Sequence, residues 1–204
     1  MFTGLVDRIG TITAVETVAA GKRIAVRCPI WQQPVTPGES ICVSGCCLSV
    51  TMSSTKGKDQ CLAFDVVHET LRCSNLDSLN NGAEVNMERS LQAQSYLGGH
   101  FVQGHIDGVG TVLSVESAED GEVRLRVSTE NVDRDTIVPK GSITLEGVSL
   151  TIASVKHESL DAALIPTTLQ ETTLGSLQVG DFVNIETDML AKTIARVVRN
   201  MDSR

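Results

Sequence analysis

The chain has 204 residues, of which 41% are hydrophobic and 21% charged, with a net charge of −8. That acidic balance argues against nucleic acid or an anionic membrane surface as a partner, and no apolar run approaches the length that spans a bilayer. Asp7 and Arg8 interrupt the N-terminus before a signal-peptide core could form, so the expected setting is cytoplasmic, with the cysteines held as reduced thiols.

In chain order, residues 8–16 alternate Ile9, Thr11, Thr13 and Val15 against their neighbours, and residues 22–28 place Ile24, Val26 and Cys28 on one face. Both segments have the period of two that a strand requires. Pro29, Pro34, Pro37 and Gly38 punctuate a loop. Ser40–Val43 and Leu48–Met52 read as short strands hinged at Gly45, Ser53–Gln60 as a polar turn, and Cys61–Val67 as a further strand. Glu69–Leu79 has helical-turn spacing, Gly82 ends it, and Val85–Glu88 closes the unit as a last strand. The pattern then begins again at 108–115, 122–128, 142–145, 150–155, 161–165 and 182–187, after a linker at Leu91–Tyr96 and Gly98-Gly99.

The repetition is visible residue by residue. At an offset of 100, Gly4, Asp7, Gly10, Thr11, Val15 and Glu16 recur as Gly104, Asp107, Gly110, Thr111, Val115 and Glu116. At an offset of 102, Pro37, Ser40, Ile41, Gly45 and Leu48 recur as Pro139, Ser142, Ile143, Gly147 and Leu150. At an offset of 98, Thr70, Leu71, Leu76, Gly82, Val85, Asn86 and Glu88 recur as Thr168, Leu169, Leu174, Gly180, Val183, Asn184 and Glu186. Two long copies indicate a duplicated domain, not a solenoid. Short strands with little helix predict an all-β chain of two tandem antiparallel barrels, each roughly 90 residues. The expected divisions are residues 1–97, 98–188 and a terminal helix over 189–204. In that tail Leu190, Ile194, Val197, Val198 and Met201 fall at helical spacing, interleaved with Lys192, Arg196 and Arg199. Such a stripe serves either docking on the helix's own barrel or an inter-subunit bundle.

Chemistry is sought where matched blocks differ: Leu5 against His105, Cys46-Cys47 against Val148-Ser149, and Ser44 against Glu146. A cysteine aligned with a serine beside a fixed glycine suggests that a polar atom is needed at that place in both copies. The plain alternative is that Cys47 is a buried small hydrophobe. His100 follows Gly98-Gly99 and His105 follows Gly104; each is a titratable ring beside backbone that a ligand could approach, or else a structural histidine. The six cysteines contain no Cys-x-x-Cys pair, which argues against a metal. No dinucleotide fingerprint or phosphate loop is present.

Taken together, Met1-Phe2-Thr3-Gly4-Leu5-Val6, Gly45-Cys46-Cys47-Leu48-Ser49-Val50, Gly98-Gly99-His100 with Gly104-His105, and Gly147-Val148-Ser149-Leu150-Thr151 resemble riboflavin synthase of the alpha-chain type, built from two lumazine-binding repeats. The resemblance runs over essentially the whole chain. It implies two tandem six-stranded Greek-key barrels, a C-terminal α-helix assembling a homotrimer, and neither cofactor nor metal. The implied reaction exchanges a four-carbon unit between two molecules of 6,7-dimethyl-8-ribityllumazine, giving riboflavin and 5-amino-6-(D-ribitylamino)uracil.

By the same resemblance, Gly4, Leu5, Val6, Cys47, Leu48, Ser49, Asp65, Val66, Val67, His68, Glu69 and Thr70 line the first pocket. Gly104, His105, Ile106, Ser149, Leu150, Thr151, Ala163, Leu164, Ile165, Pro166, Thr167 and Thr168 line the second, and Lys140 reaches in from an adjoining chain. Ser40, Cys47 and His105 are the expected participants in nucleophile activation or proton transfer. Ser49, Glu146 and Thr167 depart from the family pattern, where threonine, aspartate and glutamate are usual. The rival expectation is a non-catalytic lumazine or flavin carrier of the same architecture, although such relatives lose the paired cysteines and the glycine–histidine pairs. A flavin-using oxidoreductase on a barrel would need a further domain.

Overall fold

The computed structural model describes residues 1–117 and 122–202. The first half contains β1 (Arg8–Val18), β2 (Gly21–Pro29), β3 (Ser40–Val43), β4 (Cys46–Lys56), β5 (Asp59–Val67), α1 (His68–Cys73) and β6 (Glu84–Arg89). The second contains β7 (Gly108–Ser117), β8 (Val123–Ser128), β9 (Ser142–Leu145), β10 (Val148–Val155), β11 (Ser159–Leu164), α2 (Pro166–Glu171) and β12 (Phe182–Thr187), followed by α3 (Met189–Asp202). Each set of six strands closes into an antiparallel barrel, in the order β1-β2-β5-β4-β3-β6 and its equivalent β7-β8-β11-β10-β9-β12. Closure leaves no unpaired edge. Bulges at Thr13 and Thr51 bend their strands to permit it, and each bulged threonine donates its hydroxyl to the facing strand, at Ala25 and Ala63.

Two local expectations change. The polar segment Ser53–Gln60 is not a turn: β4 runs to Lys56 and β5 starts at Asp59, joined by Gly57-Lys58. Residues 54–58 are polar because the hairpin tip projects into solvent, whereas Gln60 is buried and its amide donates to the Val35 carbonyl and Ser53 Oγ. The helical stretch Glu69–Leu79 is one short α-helix and a separate 3-10 turn at Asn75–Ser78, with the Ser74 hydroxyl capping the turn by accepting from the Leu76 N–H. The same break recurs in the second half, where Thr172 caps Thr173–Ser176.

Both barrels bury the alternating aliphatic faces of their strands, with Phe64, Ile24 and Leu62 in the first and Leu125, Ile143 and Ile152 in the second fully enclosed. Each core is completed by a residue from the other half. Ile106 packs into the first barrel and Val6 into the second. The segments carrying them cross at a short antiparallel bridge between Phe2 and Val102, both fully buried. Gly104 presses against β4, where its carbonyl accepts from the Cys47 N–H at 2.9 Å. Gly4 lies equivalently on β10, accepting from the Ser149 N–H at 2.7 Å. No helix among the described residues is long and apolar enough to cross a membrane.

A Cβ at Gly104, where φ is +81°, would lie 2.6 Å from the Cys47 Cβ and 2.7 Å from its backbone nitrogen. Gly82 has φ +90° but open space around it. Gly82→Ala should therefore cost about 1 kcal/mol, for the left-handed backbone alone, and Gly104→Ala about 3 kcal/mol, because rigid backbone is displaced as well. Chemical denaturation of the two variants should show this gap; equal losses would mean that the crossing is not tightly packed.

Candidate functional site

Alternation along β4 decides which of the adjacent cysteines meets a ligand. Cys46 points into the barrel and is 1% exposed, while Cys47 points outward and is half-buried. Burial pushes the Cys46 thiol up to about 12 and Cys28 up to about 11, and holds Cys42 well above its ordinary value, so these three remain neutral packing groups. Cys47 instead opens on a cavity of about 370 Å³, which Cys46 also borders, lined with Gly104, His105 and Ile106 from the second half and Glu69, Thr70 and Cys73 from α1. A thiol, an imidazole and a threonine thus converge on one space.

This arrangement exchanges the expected grouping. Gly104, His105 and Ile106 belong to the first barrel's pocket, with Cys47. Gly4, Leu5 and Val6 run instead along the second barrel, with Gly4 against Ser149, Leu5 against Gly98 and Val6 on the core. The physical reason is the crossing of the two N-terminal segments, which carries each onto the other half's barrel. Cys47 and His105, which lie in different copies of the sequence, share one cavity.

The remaining predicted residues divide by strand alternation. Leu48, Val66, Leu150 and Leu164 are buried in the barrel cores, so any ligand contact they make is through main chain. Ser49, Thr151, Val67 and Ile165 face outward at the rims. Asp65 is committed to Arg23 by two hydrogen bonds, at 2.6 and 2.9 Å, and that guanidinium holds its carboxyl below the usual range. His68 opens α1 and Pro166 opens α2, where Thr167 is exposed; the Thr168 carbonyl accepts from Thr172 Oγ1. Ala163 is half-buried on β11.

Ser40 does not line the Cys47 cavity. It faces Ser49 across the β3–β4 ladder, two residues along from the Cys42–Cys47 pair, and its carbonyl accepts from Ser90 Oγ. Lys140 is exposed on the second barrel with φ 66°, where the first copy has Gly38. That left-handed backbone is one that glycine adopts freely and lysine only at a cost.

Three sets of contacts around the site escaped the sequence reading, which named His100 but not its partner. The carboxylate of Glu88 accepts from Thr3 N, Thr3 Oγ1 and Gly4 N, and that of Glu186 accepts from the backbone of Gln103, Gly104 and His105. These buried acids aim the crossing segments, and their recurrence at an offset of 98 was the available signal. His100 is 9% exposed, with Nδ1 at 2.8 Å from Ser149 Oγ. Around the junction of the two halves, Asn86 spans Thr173 and Glu146, while Asn184 spans Asn75 and Ser44.

Comparison with known proteins agrees with this geometry. The sequence profile of the family described as Lumazine binding domain matches twice, over residues 3–90 and 103–188. A riboflavin synthase of Mycobacterium bovis is 40% identical over 203 residues, covering 98% of this chain and 99% of that protein. A riboflavin synthase of Bacillus subtilis is 36% identical over 196 residues, covering 96% and 89%. Among solved structures, LumP complexed with riboflavin is 27% identical with a TM-score of 0.78, and LumP complexed with 6,7-dimethyl-8-(1'-D-ribityl) lumazine is 25% identical with a TM-score of 0.76. Each covers 92% of this chain and 99% of its own.

Glu146 is the titrating member of the junction. Its Oε1 accepts from Asn184 N at 2.6 Å and Asn75 Nδ2 at 2.8 Å, yet complete burial raises its pKa from 4.5 to about 7. A carboxyl with a raised folded pKa stabilises the fold below its unfolded value, and that contribution is lost as pH rises through 7. From pH 4.5 to 7.5 the wild type should lose on the order of 3 kcal/mol relative to Glu146→Gln, which keeps an acceptor oxygen and cannot ionise. Denaturation of both proteins across that range would measure it; parallel profiles would show that Glu146 stays ionised throughout.

Proposed function

We propose a specific reaction for this chain, which belongs to the riboflavin synthase family and carries the lumazine binding domain twice. Two molecules of 6,7-dimethyl-8-ribityllumazine are held by its two barrels, and a four-carbon unit passes from one to the other. The products are riboflavin and 5-amino-6-(D-ribitylamino)uracil, which makes the enzyme a transferase. The observation that carries the reading is the shared cavity of Cys47, Thr70 and His105, built from both halves of the chain. Its counterpart beside Ser149 has the same main-chain framework. Donor and acceptor are the same compound, so two similar pockets are what the chemistry needs.

Within each pocket the crossing segment supplies rigid backbone, and the strand ends supply outward donors and acceptors suited to a flat heterocycle. Holding two rings in register converts a bimolecular step into a local one, and orientation of this kind supplies much of the rate. Cys47 and His105 are the groups placed to activate a nucleophile or move a proton in the first pocket. Ser40, two residues along the ladder from the Cys42–Cys47 pair, would serve the outer end of a bound molecule. Lys140 would reach a pocket of an adjoining chain. The chemistry calls for no cofactor, and the acidic, reduced-thiol chain fits a cytoplasmic setting.

Riboflavin formation from the purified protein and the lumazine is the decisive assay. Cys47→Ser should keep part of the activity through its hydroxyl, Cys47→Ala should lose more, and Cys46→Ala should show chiefly reduced stability. Tight lumazine binding without turnover would place the chain with carriers and remove the reading.

We also propose that α3 assembles a homotrimer. Its basic side docks on the second barrel, through Lys192 to Asp107 at 2.9 Å and Arg199 to Asp133 at 2.7 Å and to Asp135. That docking turns Leu190, Ile194, Val197 and Met201 outward, and Met201 is 70% exposed. Ser203 and Arg204, the last residues of the expected tail, lie outside the described residues. Deleting residues 189–204 should give folded monomers in sedimentation; a truncated trimer would show that the barrels hold the assembly.

A further inference from the structure

The second pocket contains a pair that nothing in the repeat anticipates. Ser149 occupies the place of Cys47, and its hydroxyl lies 2.8 Å from Nδ1 of His100. The matched N-terminal blocks begin at Gly4 and Gly104, so His100 lies outside the residues that the repeat relates. The first pocket's own imidazole, His105, aligns instead with Leu5. The two pockets are therefore furnished with histidines from different positions.

The backbone that carries the buried His100 ring is closely held. Its main-chain N–H donates to the Thr3 carbonyl at 3.1 Å. The preceding Gly99 is pressed so closely that a Cβ there would lie 2.1 Å from the Thr3 carbonyl oxygen and 2.9 Å from Ser149 Oγ. Thr3 is itself held by the buried Glu88 carboxylate, at 2.6 Å to its nitrogen and 2.7 Å to its hydroxyl. From the other side, the Ser149 N–H is tied to the Gly4 carbonyl. The main chains that carry ring and hydroxyl are thus held in place by four backbone or carboxylate contacts.

We propose that His100 is a positioning residue for the second pocket: its Nδ1 accepts the Ser149 hydroxyl hydrogen and turns the Oγ lone pairs toward a hydrogen-bond donor of the bound substrate. This rests on the reading of the second barrel as a lumazine pocket and assigns how that pocket orients its occupant. Burial favours the neutral ring, which accepts at one nitrogen and donates at the other. A free serine hydroxyl spreads its hydrogen over several directions; one held by a fixed acceptor offers a single arrangement to an N–H or O–H of the ligand. In the first pocket the matched group is the Cys47 thiol, and the imidazole that shares its cavity, His105, comes from a different position in the repeat. The two identical substrates consequently meet different hydrogen-bonding partners.

The test is a double-mutant cycle on the full chain, reading kcat and KM for riboflavin formation, with thermal unfolding as a control. Ser149→Ala should lower kcat/KM about tenfold, the loss of one oriented hydrogen bond. His100→Leu should lower it by a similar factor, and the double variant no further, because the ring acts only through the hydroxyl. His100→Asn, whose amide oxygen can stand near the Nδ1 position, should recover to within about threefold of wild type. His100→Gln carries its amide one carbon further and should remain low, which keeps the comparison open if the leucine variant does not fold. Losses that multiply in the double variant, or an asparagine variant as poor as glutamine, would overturn the proposal. If the wild type makes no riboflavin, the proposed reaction fails by itself. Fluorescence titration with 6,7-dimethyl-8-ribityllumazine then decides this proposal: equal weakening by His100→Leu and Ser149→Ala supports it, and unchanged binding in both refutes it.

Discussion

The structure depends on two backbone crossings. At Gly104 the chain of the second half lies on β4 of the first barrel, and at Gly4 the chain of the first half lies on β10 of the second. Neither position tolerates a side chain, since a Cβ would stand 2.6 Å from the Cβ of Cys47 or of Ser149. From this exchange the rest follows. Ile106 and Val6 seal cores that are not their own, Phe2 and Val102 pair at the centre, and each pocket acquires a wall from the opposite copy. Glu88 and Glu186 sustain the crossings by accepting successive backbone N–H groups, which offsets the desolvation that raises both their pKa values.

The junction between barrels is polar, and nearly every group in it is matched. The turns at Gly45 and Gly147 meet backbone to backbone, so a Cβ on Gly147 would lie 2.7 Å from the Gly45 nitrogen. Asn86 and Asn184 reach across in opposite senses, each satisfying the start of the other half's 3-10 turn. Such a network costs little while complete and much when one member is removed. It also resists sliding, because every bond has a single donor–acceptor geometry. A greasy junction of equal area would leave the relative orientation of the barrels less sharply defined, and the pockets draw their walls from that orientation.

The fold was largely legible because strands announce themselves by alternation and the duplication supplied a second reading of each one. Twelve short strands and a terminal amphipathic helix emerged from periodicity, glycine and proline alone. What misled was polarity: Ser53–Gln60 looks like a turn because the hairpin tip at 54–58 projects polar side chains into solvent and the buried Gln60 bonds the neighbouring loop at Val35. Cys47 and His105, the candidate residues that line one cavity, were also legible as differences between matched blocks. Their meeting was not, since sequence alignment assigns each residue to its own copy and says nothing about which barrel a connecting segment crosses. The buried glutamates and asparagines stood in the repeat in plain view, as Glu88/Glu186 and Asn86/Asn184. Identity between copies reports shared fold, so a comparison that looks for function in differences passes over them.

A duplicated fold faces an opposite demand when its two ligands are the same compound but play unequal parts. Symmetry makes the two binding frameworks alike, whereas transfer of a group from one molecule to its twin requires that the pockets stabilise different charge distributions. The crossing resolves this with few substitutions. Main chain at Gly4 and Gly104 preserves the common framework, and side chains at single positions break it: thiol against hydroxyl at 47 and 149, imidazole against leucine at 105 and 5. The linker adds a further inequality at no cost to the repeat, because His100 precedes the point from which the two copies correspond. Asymmetry introduced at a junction of this kind leaves both barrel cores untouched, and it can be adjusted without disturbing either fold.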